Sequence, residues 1–175
     1  LASKLRKKRF ASGAISFERP EMKVEVDEKG KPVNVYQKVS KEANWLIEDF
    51  IPLANRSVAQ SVAKAKKTFV YRVHDEPNQE KIEALRNFIG NFGYRMGSTN
   101  TGKEISKELN NLFAAAKDTP EYNAIELLSL RTMAKARYDT ENLGHYGLAF
   151  KYYTHFTSPI RRYPDMMVHR LLSRY

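Results

Sequence analysis

The stretch from Thr154 to His169 restricts the backbone of this chain more than any other part of the sequence. It contains two prolines and two adjacent arginines immediately before a run of apolar residues at helical spacing. Ser158 can accept a hydrogen bond at a helix start, and Pro159 then occupies a position where a missing N–H costs nothing. The pattern therefore predicts a helix that starts at Ser158 and carries Arg161 and Arg162 in its first turn.

A helix start that carries two arginines is suited to binding a phosphate group. The first backbone N–H groups of a helix have no partner within the helix, and a guanidinium group binds phosphate oxygens two at a time. The same residues also fit an ordinary corner between a loop and a helix, with both arginines solvated. The local pattern leaves both interpretations open.

The composition points to a polyanionic partner. The chain has 175 residues, a net charge of +10 and 42% hydrophobic residues, which suits one domain, or part of a larger one, with a real core. Nucleic acid is the first candidate partner and an anionic membrane surface the second. No apolar run approaches the roughly 18 residues that span a bilayer. The absence of cysteine excludes disulfides and thiolate metal sites and fits a cytoplasmic protein.

Hydrophobic periodicity predicts a mixed α+β fold in which helices outnumber strands. Alternating residues from 14 to 39 predict a β-hairpin with a preceding strand, and residues 68–73 predict a short strand. Spacing of three and four predicts helices elsewhere. These cover residues 40–67, with a kink at Pro52, and residues 79–92, 103–117 and 121–135. Residues 1–10 carry five cations, which fit either a solvated helix face or a phosphate-binding surface.

Four motifs occur in a fixed order along the chain. They are Gly13-Ala-Ile-Ser-Phe-Glu18, Leu46-Ile-Glu-Asp-Phe-Ile-Pro-Leu-Ala-Asn55, Tyr71-Arg-Val-His-Asp-Glu-Pro77, and His145-Tyr-Gly-Leu-Ala-Phe-Lys-Tyr-Tyr-Thr-His-Phe-Thr-Ser-Pro-Ile-Arg-Arg-Tyr-Pro-Asp165 with His169 beyond it. Together they resemble the ribonuclease II / ribonuclease R (RNB) family of processive exoribonucleases, closest to its ribonuclease R branch. Residues 1–175 match the C-terminal portion of the family's catalytic domain, so the chain is expected to be an excised piece.

The resemblance implies Mg²⁺-dependent removal of nucleotides from the 3′ end of single-stranded RNA, with release of nucleoside monophosphates. It implies no membrane and no nucleotide cofactor. Metal-assisted phosphodiester hydrolysis requires clustered carboxylates, whereas the six aspartates of this chain lie far apart. In the family the acidic cluster lies upstream, together with flanking RNA-binding domains that this chain lacks. We therefore assign no metal ligand here and expect the chain alone to be inactive.

The resemblance gives roles to three residues at the end of the RNA strand. Arg161 matches the arginine at the cleaved phosphate, where a guanidinium would stabilise the transition state. Phe17 matches an aromatic clamp that stacks on bases, although alternation with Ile15 also fits a strand residue of the core. Glu48 matches a glutamate linked to recognition of the ribose 2′-hydroxyl. Its neighbour Asp49 is one position away, and an ordinary exposed helix residue remains the alternative.

The remaining candidates contact RNA or support the site. Arg162 and Tyr163 flank Arg161 and are expected to bind RNA, as are Arg72 and His74, which share one face of a strand and could contact a phosphate together. The supporting residues are Asn55, Ser158 and Asp165. Asn55 is expected to satisfy buried backbone groups. Asp165 is expected to orient an arginine or close the helix start rather than to bind metal.

Two rival functions fit the same residues. One is a non-catalytic protein that binds single-stranded RNA on the same fold, and the state of the upstream acidic cluster would distinguish it from the enzyme. The other is a basic scaffold that contacts only proteins, for which RNA affinity would be negligible and insensitive to salt.

Overall fold

The α+β fold is confirmed by a computed structural model, which describes residues 1–15, 21–38 and 42–175. Within these ranges the chain forms six α-helices and two small antiparallel sheets. The helices are α1 Ala2–Ala11, α2 Glu42–Lys64, α3 Gln79–Gly90, α4 Gly102–Ala116, α5 Tyr122–Thr132 and α6 Tyr163–Arg174. The strands are β1 Glu21–Val26, β2 Pro32–Lys38, β3 Tyr71–Val73 and β4 Arg137–Asp139.

The predicted β-hairpin is confirmed as the antiparallel pair β1–β2. The Asp27 side chain accepts hydrogen bonds from the backbone N–H groups of Lys29 and Lys31, and Gly30 supplies the positive φ of +79° that the turn requires. Every side chain from residue 22 to residue 38 is exposed. The strand predicted ahead of the hairpin falls largely on residues 16–20, outside the described residues.

The larger hydrophobic core lies among helices α3, α4 and α5. These helices keep the predicted apolar spacing, and their inward residues are fully or almost fully buried, each contributing about 1.5–3 kcal/mol. The core residues include Ile82, Leu85, Ile89, Ile105, Leu109, Leu112 and Ile125. Side-chain caps fix where two of the helices begin: Asn78 Oδ1 accepts from Lys81 N, and Thr101 Oγ1 accepts from Glu104 N.

A second core joins the long helix α2 to strand β3 and helix α6. It contains Ala59 and Val62 from α2, Phe69 and Val73 near or in β3, and Val168 from α6. Pro52 lies within α2, as the sequence predicts. This core therefore brings the second, third and fourth sequence motifs into one region.

Strand β3 lies between β4 and the fourth motif. On one side β3 pairs with β4, a strand that the sequence analysis does not predict. On the other side Arg72 N donates to Tyr153 O, and Thr154 Oγ1 donates to Val70 O at 2.6 Å. The backbone of the fourth motif is thus fixed along β3.

The predicted start of the last helix is wrong by several residues. Residues 158–162 form a turn, and α6 begins at Tyr163 with Pro164 in its first turn. Both Ser158-Pro159 and Tyr163-Pro164 satisfy the rule that favours proline at a helix start. At the first proline the chain forms only a turn, in which Ser158 O accepts hydrogen bonds from Arg161 N and Arg162 N, and Ser158 N donates to Asp165 in the first turn of α6.

Candidate functional site

Asp165 fixes the turn at residues 158–162 through hydrogen bonds and an ion pair. This carboxylate is fully buried, and its Oδ2 accepts from Ser158 N at 2.8 Å and from Arg162 Nη2 at 2.8 Å. Arg162 Nε lies 2.8 Å from Oδ1 of the same carboxylate. The Ser158 hydroxyl therefore does not cap α6. Ser158 contacts the first turn of α6 through its backbone N–H instead. A buried ion pair with fixed geometry makes the turn rigid.

Arg161 stands at the outer side of this turn. Its side chain is exposed, and among the described residues its guanidinium has no hydrogen bond or ion pair. Ile160 and Tyr163 beside it are also exposed, Tyr163 to 62%. The neighbouring Arg162 is engaged by Asp165 instead. Arg162 thus stabilises the turn, whereas the guanidinium of Arg161 is accessible to a ligand.

Asn55 connects the long helix α2 to the fourth motif. It is 1% exposed, its Nδ2 donates to the Tyr153 hydroxyl at 3.2 Å, and its Oδ1 accepts from Phe156 N at 2.9 Å. Burial raises the pKa of Tyr153, so this phenol stays protonated at neutral pH. Asn55 satisfies a buried backbone N–H, which is the role that the sequence predicts for it.

Arg72, Tyr138 and His155 form a contact group next to the turn. The Arg72 guanidinium lies 4.7 Å from the ring centroid of Tyr138. The Tyr138 hydroxyl lies 2.8 Å from His155 Nδ1. Burial lowers the pKa of His155 to about 4, with further lowering by the positive charges of Arg162, Arg72 and Arg161 against the opposing charge of Asp165. His155 is therefore uncharged at neutral pH.

The structure argues against the prediction that His74 contacts a phosphate together with Arg72. His74 Nε2 lies 2.9 Å from Ala134 O, and Nδ1 accepts from Gly147 N at 3.1 Å. Burial lowers its pKa, so the ring is neutral and both nitrogens serve the backbone. His74 is thus engaged by the backbone through both ring nitrogens and supports the fold. Arg72 and His155 both contact Tyr138, and sequence reasoning did not select His155.

Glu48 and Asp49 occupy different environments on α2. The Glu48 side chain is 55% exposed and lies 3.9 Å from Arg6 of α1. Asp49 is buried and accepts from Arg9 Nη2 at 2.9 Å. Glu48 is therefore accessible to a ligand, whereas Asp49 joins the two helices. Phe17 lies outside the described residues.

The described residues do not fit a magnesium site. No group of three or more histidine or acidic side chains in ranges 1–15, 21–38 and 42–175 could hold a metal ion. Asp165, in the first turn of α6, is paired with Arg162 and accepts a hydrogen bond from Ser158 N, so it serves as a structural acceptor and no cluster of further acidic side chains accompanies it in the described residues. None of the helices in these ranges has the length and hydropathy of a membrane-spanning segment.

Comparison with known proteins identifies the family of this chain. The RNB domain family matches residues 1–175. Ribonuclease R of Aquifex aeolicus is 41% identical over 97% of the chain, and that of Thermotoga maritima is 43% identical over 100%. Each match covers 24% of the relative, so the chain spans about a quarter of their length.

Solved structures support the same family assignment. Mycoplasma genitalium RNase R in complex with ribose methylated single-stranded RNA superposes with a TM-score of 0.88 at 32% identity, over 99% of this chain and 27% of that one. Yeast Ssd1, described as a pseudonuclease, has a TM-score of 0.60 at 35% identity, over 74% of this chain and 16% of that one. The sequence motifs, the fold and the relatives agree, and the chain belongs to the RNB domain family.

Proposed function

We propose that this chain is the C-terminal portion of the catalytic domain of a ribonuclease R-type enzyme, which degrades single-stranded RNA from its 3′ end to nucleoside monophosphates in the cytoplasm. Membership of the RNB family supports the activity, as does the likeness to a ribonuclease R solved with single-stranded RNA. The net charge of +10 suits an RNA partner. The observation that carries the proposal is the rigid turn that exposes Arg161 while Asp165 engages Arg162.

In this proposal Arg161 contributes charge stabilisation at the cleaved phosphate. A guanidinium is always protonated and can donate two hydrogen bonds to phosphate oxygens. The buried Asp165 fixes the 158–162 turn. The backbone that positions the Arg161 guanidinium therefore needs little reorganisation as negative charge develops on the phosphate. The Mg²⁺ ions that the family resemblance implies would have to be held mainly by carboxylates outside this chain.

Other residues of the chain would hold the RNA strand. Glu48 is exposed beside α1 and would accept a hydrogen bond from a ribose 2′-hydroxyl, which separates RNA from DNA. Phe17 would stack on a base, Tyr163 would lie beside the same strand end, and Arg72 would contact a phosphate. No nucleotide cofactor takes part in this proposal.

The decisive experiment substitutes Arg161 in the complete protein. For Arg161→Ala we expect a single-turnover hydrolysis rate about 10²–10³-fold lower, while the Kd for RNA changes much less, because the guanidinium acts mainly on the transition state. Arg170→Ala on the exposed side of α6 is the matched control and should leave both quantities near wild type. Equal losses in rate and binding would instead identify Arg161 as a plain phosphate anchor.

A second candidate is an RNA-binding protein that has lost hydrolysis. The likeness to yeast Ssd1, described as a pseudonuclease, is the observation that favours it. The complete protein distinguishes the two functions directly: monophosphate release from a single-stranded RNA supports the enzyme, whereas tight binding without cleavage supports the second candidate.

A further inference from the structure

His155 and Tyr138 form a hydrogen-bonded pair that belongs to neither hydrophobic core. The Tyr138 hydroxyl lies 2.8 Å from His155 Nδ1, and the two rings meet edge to face with centroids 5.6 Å apart. On another side of the imidazole, the Tyr153 ring lies 5.7 Å away, also edge to face. Tyr153 is itself fixed by Asn55. The imidazole therefore has a defined position and orientation next to the 158–162 turn.

The position of Arg72 favours one tautomer of His155. Its guanidinium lies over the Tyr138 ring at 4.7 Å, and a cation at that position draws electron density from the ring and strengthens the phenol as a donor. In the tautomer that this favours, Tyr138 donates to Nδ1 and the neutral imidazole carries its proton on Nε2. Among the described residues Nε2 has no hydrogen-bond partner, and it is not closed off from solvent.

The surroundings of this N–H favour an anion. Arg72, Arg161 and Arg162 all lie close enough to His155 for their charges to act on it. Asp165, the carboxylate in the same group, is already engaged by Arg162 and by Ser158 N. An uncharged donor can join two arginines at one anion without adding a further positive charge that would repel them.

We infer that His155, oriented by Tyr138, donates from Nε2 to a backbone phosphate of the RNA strand that Arg72 also contacts. This site would hold a phosphate next to the one at Arg161, and the inference rests on the proposed function because it requires RNA at this turn. Tyr138 acts here as a positioning residue, whereas His155 touches the RNA. Arg72 thereby gains a histidine partner, although not the one that the strand pattern suggested.

A thermodynamic cycle between protein and RNA tests the inference. RNA binding by the complete protein is measured without divalent metal, using single-stranded oligonucleotides with one uncharged methylphosphonate at successive positions from the 3′ end. We expect His155→Ala to weaken binding of unmodified RNA by about 10- to 100-fold, as for a hydrogen bond to a charged group. In His155→Ala, replacing the phosphate at one particular position by a methylphosphonate should no longer weaken binding. In Arg72→Ala, the same replacement should weaken binding less than it does in wild type.

Three further variants separate contact from support. Tyr138→Phe keeps the ring beneath Arg72 but removes the hydroxyl, so it should weaken the same phosphate position without a loss of melting temperature. His155→Gln retains a side-chain N–H and should recover part of the affinity. Tyr36→Phe on the exposed hairpin is the matched control and should bind like wild type. If His155→Ala fails to fold, Tyr138→Phe decides the question.

The outcomes distinguish a failure of this inference from a failure of the proposed function. If the complete protein does not bind single-stranded RNA at all, the proposed function fails and the inference falls with it. If RNA binds and Arg161→Ala slows hydrolysis as expected, but the methylphosphonate profile is the same in wild type, His155→Ala and Tyr138→Phe, only the phosphate contact of His155 is overturned.

Discussion

At the level of single residues, the buried carboxylate of Asp165 connects three parts of the site. It binds the backbone of Ser158, it engages the guanidinium of Arg162, and it lies in the first turn of α6. Its effect on Arg161 is indirect, because it fixes the turn from which Arg161 projects. A carboxylate in this position is a structural requirement for the arginine to be presented correctly.

Asp165→Ala should therefore destabilise the fold strongly. Removing one partner of a buried ion pair leaves Arg162 and Ser158 N without their acceptor, which costs about 3–5 kcal/mol. Asp165→Asn should cost less, because an amide oxygen can still accept from Ser158 N. Urea unfolding of the two variants, beside Glu28→Ala in the exposed hairpin turn, measures the difference. A change for Asp165→Ala no larger than for Glu28→Ala would show that the ion pair adds nothing.

His145 should make stability depend on acid. Burial, followed by the charges of His74 and Arg72, lowers the pKa of His145 to about 3, well below the 6.5 of an exposed histidine. Between these values the unfolded chain binds a proton that the folded chain does not. The free energy of unfolding attributable to His145 is therefore fully present above pH 6.5 and is lost as the pH falls, by about 1.4 kcal/mol per pH unit.

Unfolding measured by urea from pH 7 to pH 4 checks this expectation. The slope of stability against pH in wild type should exceed that of His145→Gln by the contribution of one histidine. Identical slopes in the two proteins would mean that folding leaves the pKa of His145 unchanged.

At the level of elements, the sequence predicted most helices because their apolar residues recur at helical spacing and their caps are local. Asn78 and Thr101 are single residues whose side chains determine where α3 and α4 begin. Strand β4 was missed because Arg137-Tyr-Asp139 has no apolar alternation and exists only through pairing with distant β3. The start of α6 was misplaced because the competing turn depends on Asp165, a contact that local rules do not include.

Thr101→Ala tests the cap of α4. The Thr101 hydroxyl accepts from Glu104 N at 3.3 Å, and loss of such a cap costs about 0.5–2 kcal/mol. In a chain of this size each kcal/mol corresponds to about 2–4 °C in Tm. Thr101→Ser keeps a hydroxyl and should stay within about 1 °C of wild type by the same relation. Equal Tm values for Thr101→Ala and Thr101→Ser would show that the Thr101 hydroxyl does not stabilise α4.

The candidate site shows the same division between local and distant information. Arg161, Arg162 and Asp165 are close in sequence, and the motif that contains them was sufficient to select them. The pair of Tyr138 and His155 joins residues 17 positions apart in different segments, so no local pattern indicates it. His74 was selected because it shares a strand face with Arg72, yet Ala134 and Gly147, which occupy its ring nitrogens, are remote in sequence.

At the level of the whole molecule, the chain combines a net charge of +10 with a lack of clustered carboxylates in its described part. The proposed enzyme would therefore divide its work between this chain, which grips the RNA, and segments that hold the metal ions. The 175 residues alone should bind single-stranded RNA without degrading it.

Two measurements on the isolated chain check this division. With Mg²⁺ present we expect no release of nucleoside monophosphates, since the described residues contain no cluster of metal ligands; clear release would contradict the division of work. Without metal, RNA affinity should fall steeply with salt, with a slope of log K against log salt of about −0.7 for each neutralised phosphate. An affinity that is negligible and independent of salt would favour the basic protein scaffold instead.

The open hairpin β1–β2 has a consequence for how these 175 residues behave in isolation. Its cross-strand neighbours Val24 and Val35 lie side by side on one surface of the ribbon, and both are more than half exposed. Among the described residues this sheet has two strands. A two-stranded ribbon is only marginally stable in water, and an exposed strand edge can recruit strands from other molecules. The charged side chains of Lys23 and Glu25, interspersed along β1, oppose such stacking. Concentrated preparations of this piece would therefore tend to self-associate through the ribbon, and raising the salt, which screens those charges, would promote it.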